Sequence, residues 1–245
     1  MKRRLLPGLR TVLLLGPFLA FTLVFAAVVL IMSLVDKDSR LIESTIRLWS
    51  RLFLGTAPVH LQIDGRDRID PNRQYVFAAN HLSNYDIPVM LLTAPVPIRF
   101  LAKKELFSIP VLAQAMRRIG IIETDRQASS AAHAQINQGV AEAKGRGHSI
   151  IVFPEGTRSD NGKLAGFKKG AFRIAIANDL PVVPVTIHGT WEAWPPGSKL
   201  VYPARATATV HEPIPTSELT LLDINDLRNR VHAAVASALP TGTAG

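Results

Sequence analysis

Apolar and polar positions divide this chain into three regimes. From Thr11 to Val35 no residue carries a charge and most are apolar. Residues 40–54 place Leu41, Ile42, Thr45, Ile46, Leu48, Trp49, Leu52 and Phe53 mainly along one helical stripe, with Arg40, Glu43, Arg47 and Arg51 around the rest. After Gly55, short β-type runs alternate with helical ones. The runs predict strands over residues 59–63, 74–79, 98–102, 121–124, 149–153, 182–187 and 206–210. Helices are expected over residues 87–92, 111–118, 129–144, 168–178 and 223–239. Such alternation argues an α/β domain with a central mixed, largely parallel sheet covered by helices. Residues 149–153 and 182–187 are almost wholly apolar, as strands buried on both faces must be. The expected division is an N-terminal membrane-associated helical motif over 1–54, the α/β domain over 55–240 and a flexible tail over 241–245.

The Thr11–Val35 run follows Lys2, Arg3, Arg4 and Arg10 and precedes Asp36-Lys37-Asp38. As a helix it would reach about 37 Å, enough to cross the hydrocarbon core of a bilayer. The apolar core of a cleaved signal peptide is shorter, about 7–15 residues, so retained membrane insertion is expected. A simple pass that kept its basic end in the cytoplasm would carry the rest of the chain outside. Gly16-Pro17 offers a break that would return the chain to its starting side. Residues 40–54 read as an interfacial helix with Trp49 at headgroup depth, although a helix packed on the domain would show the same stripe.

Composition narrows the partners. The 245 residues suit one domain plus a membrane segment, and there is no cysteine, which excludes disulfides, thiolate nucleophiles and cysteine-ligated zinc. A formal net charge of +9 favours an anionic partner. With 7% aromatic residues and no recognition-module signature, nucleic acid is not expected, whereas 47% hydrophobic residues point to a membrane.

Two polar clusters close apolar runs. In Asn80-His81-Leu82-Ser83-Asn84-Tyr85-Asp86, an imidazole precedes a carboxylate by five positions. Imidazole takes a proton near neutral pH, and a carboxylate fixes its tautomer and steadies the imidazolium. In a regular helix the two positions lie about 140° apart and would not meet. A turn at Ser83-Asn84 brings them together. A structural reading of the same residues makes Asp86 the N-cap of a helix and His81 an ordinary strand-end histidine. The second cluster, Pro154-Glu155-Gly156-Thr157-Arg158-Ser159, follows the run 149–153. Proline ends the ladder and glycine permits a tight turn, which presents Glu155 and Arg158 at the carboxyl end of a buried strand, where α/β sheets bind ligands. The Arg158 guanidinium suits phosphate, Thr157 and Ser159 add hydroxyls, and Glu155 either holds Arg158 or accepts from a substrate hydroxyl. Lys103-Lys104, Arg126 and Lys168-Lys169 are further candidate anion contacts.

These residues resemble the 1-acylglycerol-3-phosphate acyltransferases, or lysophosphatidic acid acyltransferases. Asn80-His81 through Asp86 is similar to that family's His–four–Asp signature. Residues 100–106 with Pro110 and the later Asp125-Arg126 resemble its second block, Phe153-Pro154-Glu155-Gly156-Thr157-Arg158-Ser159 its third, and Leu180-Pro181-Val182-Val183-Pro184-Val185 its fourth. The likeness covers residues 75–190, with one departure at Ala113, where the family pattern carries glycine. The resemblance implies that His81 takes the proton from the free hydroxyl of a lysophospholipid while Asp86 orients it. The hydroxyl oxygen then attacks the thioester of acyl-CoA or acyl-carrier protein, with no acyl-enzyme. Arg158, with Arg126 and Lys103 or Lys104, would hold the phosphate; Glu155, Gly156 and Thr157 would line the phosphate and glycerol site. Pro184 and Val185 would lie on the acyl, membrane-side region. No metal or resident cofactor is implied. Because thioester donors are cytoplasmic, the domain is expected on the cytoplasmic face of the membrane. Other acceptors, or a non-catalytic lipid-binding role, are the rival readings; a hydrolase is disfavoured because Ser83 and Ser159 lack a nucleophile-elbow context.

Overall fold

Short apolar runs, alternating where one face is open and continuous where both are covered, make strands that assemble here into one sheet. The computed structural model describes residues 8–9, 11–124 and 130–241. Lys2, Arg3, Arg4, Arg10, Arg126 and residues 242–245 of the tail lie outside the described residues. Among the described residues the strands are β1 (Val59–Asp64), β2 (Val76–Ala79), β3 (Ile98–Lys103), β4 (Ile122–Thr124), β5 (Ser149–Val152), β6 (Val182–His188) and β7 (Ala204–Val210). Their spatial order is β1-β7-β6-β2-β5-β3-β4. Every neighbouring pair is parallel except β6 with β7. This is the mixed, largely parallel sheet that the alternation predicts. β2 starts two residues later than expected because the Tyr75 N–H donates to the Ser149 side chain (3.0 Å) rather than into a strand ladder.

Alternation along the strands divides the core in two. Tyr75, Phe77, Ala79, Ile151, Val183, Val185 and Ile187 face one side, and Val76, Ala78, Ile150, Val152 and Val182 face the other. Helices α5 (Ser130–Gly145), α6 (Gly170–Ala177) and α8 (Ile224–Ser237) cover the second side. The first is covered by α1 (Gly16–Val35), α2 (Arg40–Gly55), α3 (Asp86–Thr93) and α4 (Leu112–Ile119). A single-turn helix, α7 (Thr190–Ala193), follows β6 and has no counterpart among the predicted helices.

The apolar N-terminal run is one continuous helix, not a broken one. Thr11–Leu15 winds as a π-turn that runs directly into α1, and Pro17, the second residue of α1, sits at that junction, where the helix departs from regular α-winding. The expected break at Gly16-Pro17 is therefore absent. α1 and α2 form an antiparallel pair: Phe18 stacks on Phe53 at one end (centroids 5.1 Å apart), while Thr45 reaches Met32 nearer the other (3.9 Å). Leu15, Phe18, Ala26, Val29 and Ser33 form one buried stripe along α1, and Ala113 of α4 belongs to the same apolar cluster as Ala26 and Val29. On the outer side Leu19, Phe21, Val24, Val28, Ile31 and Leu34 are exposed, joined by Leu41, Leu48 and Leu52 of α2.

Candidate active site

Parallel pairing of β3, β5, β2 and β6 brings their carboxyl ends to one edge of the sheet, and the polar clusters follow those ends. Just past β2, the Asn80 side chain donates to the Ile187 carbonyl (2.8 Å) and accepts from the Ile187 N–H (2.7 Å). This ties the exit of β2 to the end of β6. The chain then turns through Ser83-Asn84 and enters α3 at Asp86.

The turn brings the two predicted groups into contact. His81 Nδ1 lies 2.8 Å from Asp86 Oδ2, and that oxygen also accepts from the Leu82 N–H (2.6 Å) and the Ser83 N–H (2.8 Å). Asp86 Oδ1 accepts from the Thr190 hydroxyl at 2.6 Å. Asp86 is not an N-cap: Tyr85 holds that position, and the Asp86 carboxylate turns back towards His81. A carboxylate only accepts, so the proton of neutral His81 sits on Nδ1 and the Nε2 lone pair is left over. Nε2 has no hydrogen-bond partner among the described residues. The ring stacks on Phe153 with centroids 4.0 Å apart, which fixes its plane, and 15% of the side chain remains exposed.

The second cluster is built around a turn. The Gly156 N–H donates to the Phe153 carbonyl (3.0 Å), and Gly156 itself has φ +77°, which a residue with a side chain rarely adopts. A Cβ there would lie only 2.7 Å from the Lys168 ammonium nitrogen, so the glycine also makes room for that side chain. Glu155 turns inward and is 4% exposed. Its oxygens accept from the His81 N–H (2.6 Å) and the Ala165 N–H (2.9 Å). Burial pushes its carboxyl up to about 7, against these two donors, and the neighbouring Asp86 carboxylate adds to the rise. The Ser159 N–H donates to the His81 carbonyl (2.8 Å), so both backbone groups of His81 are held by the second cluster. Arg158 donates to the Asn84 side-chain oxygen at 2.7 Å, and among the described residues neither Arg158 nor Lys168 has a carboxylate partner.

On the sheet face that carries His81 lies an apolar cavity of about 120 Å³. It is lined by Phe25 and Val29 of α1, Trp49 of α2, Phe100 of β3 and Met116 of α4, among others. Phe100 pairs with Ile151, two positions before the Phe153 that stacks on His81.

Residues 60–188 match the family model described as Acyltransferase. The chain belongs to this acyltransferase family. It is 32% identical over 182 residues to a 1-acyl-sn-glycerol-3-phosphate acyltransferase of Limnanthes alba, covering 74% of this chain and 64% of that protein. With 1-acyl-sn-glycerol-3-phosphate acyltransferase beta of Homo sapiens it shares 30% identity over 219 residues, 89% of this chain and 78% of that one. The crystal structure of the 1-acyl-sn-glycerophosphate (LPA) acyltransferase, PlsC, from Thermotoga maritima superposes with a TM-score of 0.78 at 27% identity, over 95% of this chain and 93% of that chain. The chain spans 62–64% of the length of the Limnanthes and Chlamydomonas relatives, and 43–55% of that of other plant relatives it matches.

Within this acyltransferase-family domain several predicted residues take other positions. Glu155 does not hold Arg158: its oxygens are used by backbone donors of His81 and Ala165, and Asn84 holds Arg158 instead. The Ser159 hydroxyl donates to Lys163 O (2.6 Å) and lies 3.0 Å from Asn161 Oδ1, so it too serves the loop. Thr157 is exposed beside Arg158. Lys103 and Lys104 stand at the carboxyl end of β3, one strand over from β5 and on the same sheet edge as His81. Arg126 lies outside the described residues. Pro184 and Val185 are adjacent in β6, so alternation turns them to opposite faces, and neither lines the apolar cavity. Only Val185 is on the face shared with His81. Asn84, Phe153 and Thr190 join the site without a role having been predicted for them. Lys168 was expected only as part of a basic pair at a helix start, where the dipole disfavours cations and an anion nearby would explain it; the structure packs its ammonium against Gly156.

Proposed function

We propose that the chain transfers an acyl group from a thioester, acyl-CoA or acyl-carrier protein, to the free sn-2 hydroxyl of 1-acylglycerol 3-phosphate, giving phosphatidic acid. The observation that carries this reading is the His81–Asp86 pair with Nε2 unpartnered, on the same sheet edge as Arg158. Nε2 takes the hydroxyl proton as the oxygen attacks the thioester carbonyl, and Asp86 steadies the imidazolium that forms. Collapse of the tetrahedral adduct breaks the C–S bond, and His81 returns its proton to the departing thiolate. The ester bond forms directly on the acceptor, with no acyl-enzyme and no resident cofactor.

A phosphomonoester carries about −1.5 to −2 charges near neutral pH, so one guanidinium leaves charge to neutralise. Lys168, whose ammonium packs over Gly156, and Lys103 or Lys104 at the end of β3 are the nearby cations that complete the phosphate site. The apolar cavity beneath α1 and α2 takes acyl carbons. The exposed apolar side of α1 and α2 rests on the cytoplasmic leaflet, so acceptor and product need not leave the bilayer. Because α1 packs along its length on the sheet domain, crossing the bilayer would strip Leu15, Phe18, Ala26 and Val29 from their core contacts; lying in the interface keeps them.

The test is free-thiol release by detergent-purified protein given acyl-CoA or acyl-carrier protein with a panel of lysolipids. His81→Ala is expected to lower turnover by about 10²–10⁴ while the protein stays folded. Near-normal turnover in a folded His81→Ala protein would end the general-base assignment, and equal rates on phosphate-free lysolipids would remove phosphate from the acceptor.

A further inference from the structure

The Asp86 carboxylate is held at two points far apart in the chain. Oδ2 faces His81 and the turn that follows it, whereas Oδ1 has a single donor among the described residues, the Thr190 hydroxyl at 2.6 Å. Both Asp86 and Thr190 are fully buried, so bulk solvent does not reach that contact. Thr190 is placed by the corner after β6. Gly189 has φ +85°, and a Cβ there would collide with the Arg205 backbone carbonyl, so only glycine lets the chain turn this closely against β7. The same corner touches the site twice more. The Ser83 hydroxyl donates to the Trp194 carbonyl (2.9 Å), and the Trp191 indole packs on Gly162, with a Cβ there only 3.3 Å from the ring.

We infer that Thr190 is a positioning residue for acyl transfer, setting the orientation of Asp86 and through it the tautomer and aim of His81. The inference rests on His81 being the base. A charge-assisted hydrogen bond to a buried carboxylate is among the stronger ones, and its geometry matters most when the imidazolium forms. Without the hydroxyl, Oδ1 is buried with no donor, and the His81–Asp86 pair binds a proton more tightly. Glu155 is the other titratable group held against this pair, through the His81 backbone N–H.

Thr190→Val, nearly isosteric, removes only the donor. It is expected to lower kcat by about tenfold or more with KM within about twofold, and to move the acid limb of the kcat/KM pH profile to higher pH. Thr190→Ser, which keeps the donor, is expected to restore most of kcat and the original profile. A purely structural contribution would lower the amount of folded enzyme without shifting the profile. Wild-type kcat and profile in folded Thr190→Val, with His81→Ala inactive, overturns this inference and leaves the base assignment standing. Activity in His81→Ala overturns the base assignment itself. If Thr190→Val and Thr190→Ala both fail to fold while Thr190→Ser folds, the hydroxyl serves stability alone and the inference falls.

Discussion

Glu155 shows how a residue singled out for chemistry also serves architecture. Its carboxyl sits at about 7 because burial outweighs the two backbone donors. An ordinary glutamate in the unfolded chain loses its proton near 4.5, so between that value and about 7 the folded protein holds a proton the unfolded one has lost. Stability therefore falls as pH rises through this window, by up to about 3 kcal/mol. Glu155→Gln has no such proton. Thermal unfolding in detergent is expected to show wild type losing stability between pH 5 and 7.5 while the variant does not; parallel curves would contradict the burial argument. Arg158→Lys replaces a planar fork with a point charge and loses the aim given by Asn84. KM for the phosphate-bearing acceptor should rise about tenfold with kcat largely kept, and an unchanged KM takes Arg158 out of the phosphate site. His81, Asp86, Glu155 and Arg158 were legible because each lies a few residues beyond an apolar run, where local turn chemistry places it. Thr190 was not: it meets Asp86 across 104 residues of chain, and a threonine after His188-Gly189 gives no local sign of that contact. That Glu155 takes backbone donors rather than Arg158 was hidden for a similar reason, since donors from residues 81 and 165 leave no trace in side-chain pattern.

Helix α2 shows what element-level pattern can and cannot tell. Its stripe and its start at Arg40 were readable, as were the seven strands of the described residues, because burial on one sheet face imposes alternation and burial on both gives a continuous apolar run. That α2 is pinned to the domain by charge was not readable. Glu43 accepts from Arg99 of β3 at 2.6 Å, and the Arg99 side chain is fully buried, with further contacts to the Ile98 and Ile119 carbonyls and to His148. Glu43→Ala strips the anionic partner from a buried guanidinium and should destabilise by about 3 kcal/mol or more, whereas Glu43→Gln keeps an acceptor and costs less. Equal melting temperatures for Glu43→Ala and wild type would show that the pair holds nothing. His148 is pushed down to about 3 by burial, then by the Arg99 and Arg146 charges, with Asp38 opposing. The unfolded chain takes up this proton near 6.5 and the folded chain only near 3, so stability is lost as pH falls across that window. His148→Gln should flatten the acid side of the stability curve. Glu155 slopes the other way, and comparing wild type with one variant at a time separates the two.

At the scale of the molecule, the proposed membrane contact draws on a net charge of +9 and an apolar helix face, which would act by different physics. The exposed side of the π-turn and α1 runs from Val12 to Val35, and Leu41, Leu48 and Leu52 of α2 extend it, which is far more apolar surface than a soluble domain leaves open. Burying that surface in the acyl boundary is insensitive to salt, or slightly favoured by it. Attraction of the basic surface to anionic headgroups is screened over about 10 Å at 0.1 M salt and over much shorter distances near 1 M. The two contributions therefore separate in one vesicle-flotation experiment. At low salt the protein is expected to prefer vesicles containing phosphatidylglycerol over pure phosphatidylcholine; raising salt to about 0.5 M should shrink that preference while binding to the neutral vesicles persists. Replacing Val24, Val28 and Ile31 with serine should do the reverse, weakening neutral binding and leaving the salt-sensitive preference. All three are exposed, so the fold should tolerate the changes. Binding to neutral vesicles that survives this triple replacement unchanged would move the membrane contact off α1, and with it the orientation that brings His81 to the lipid.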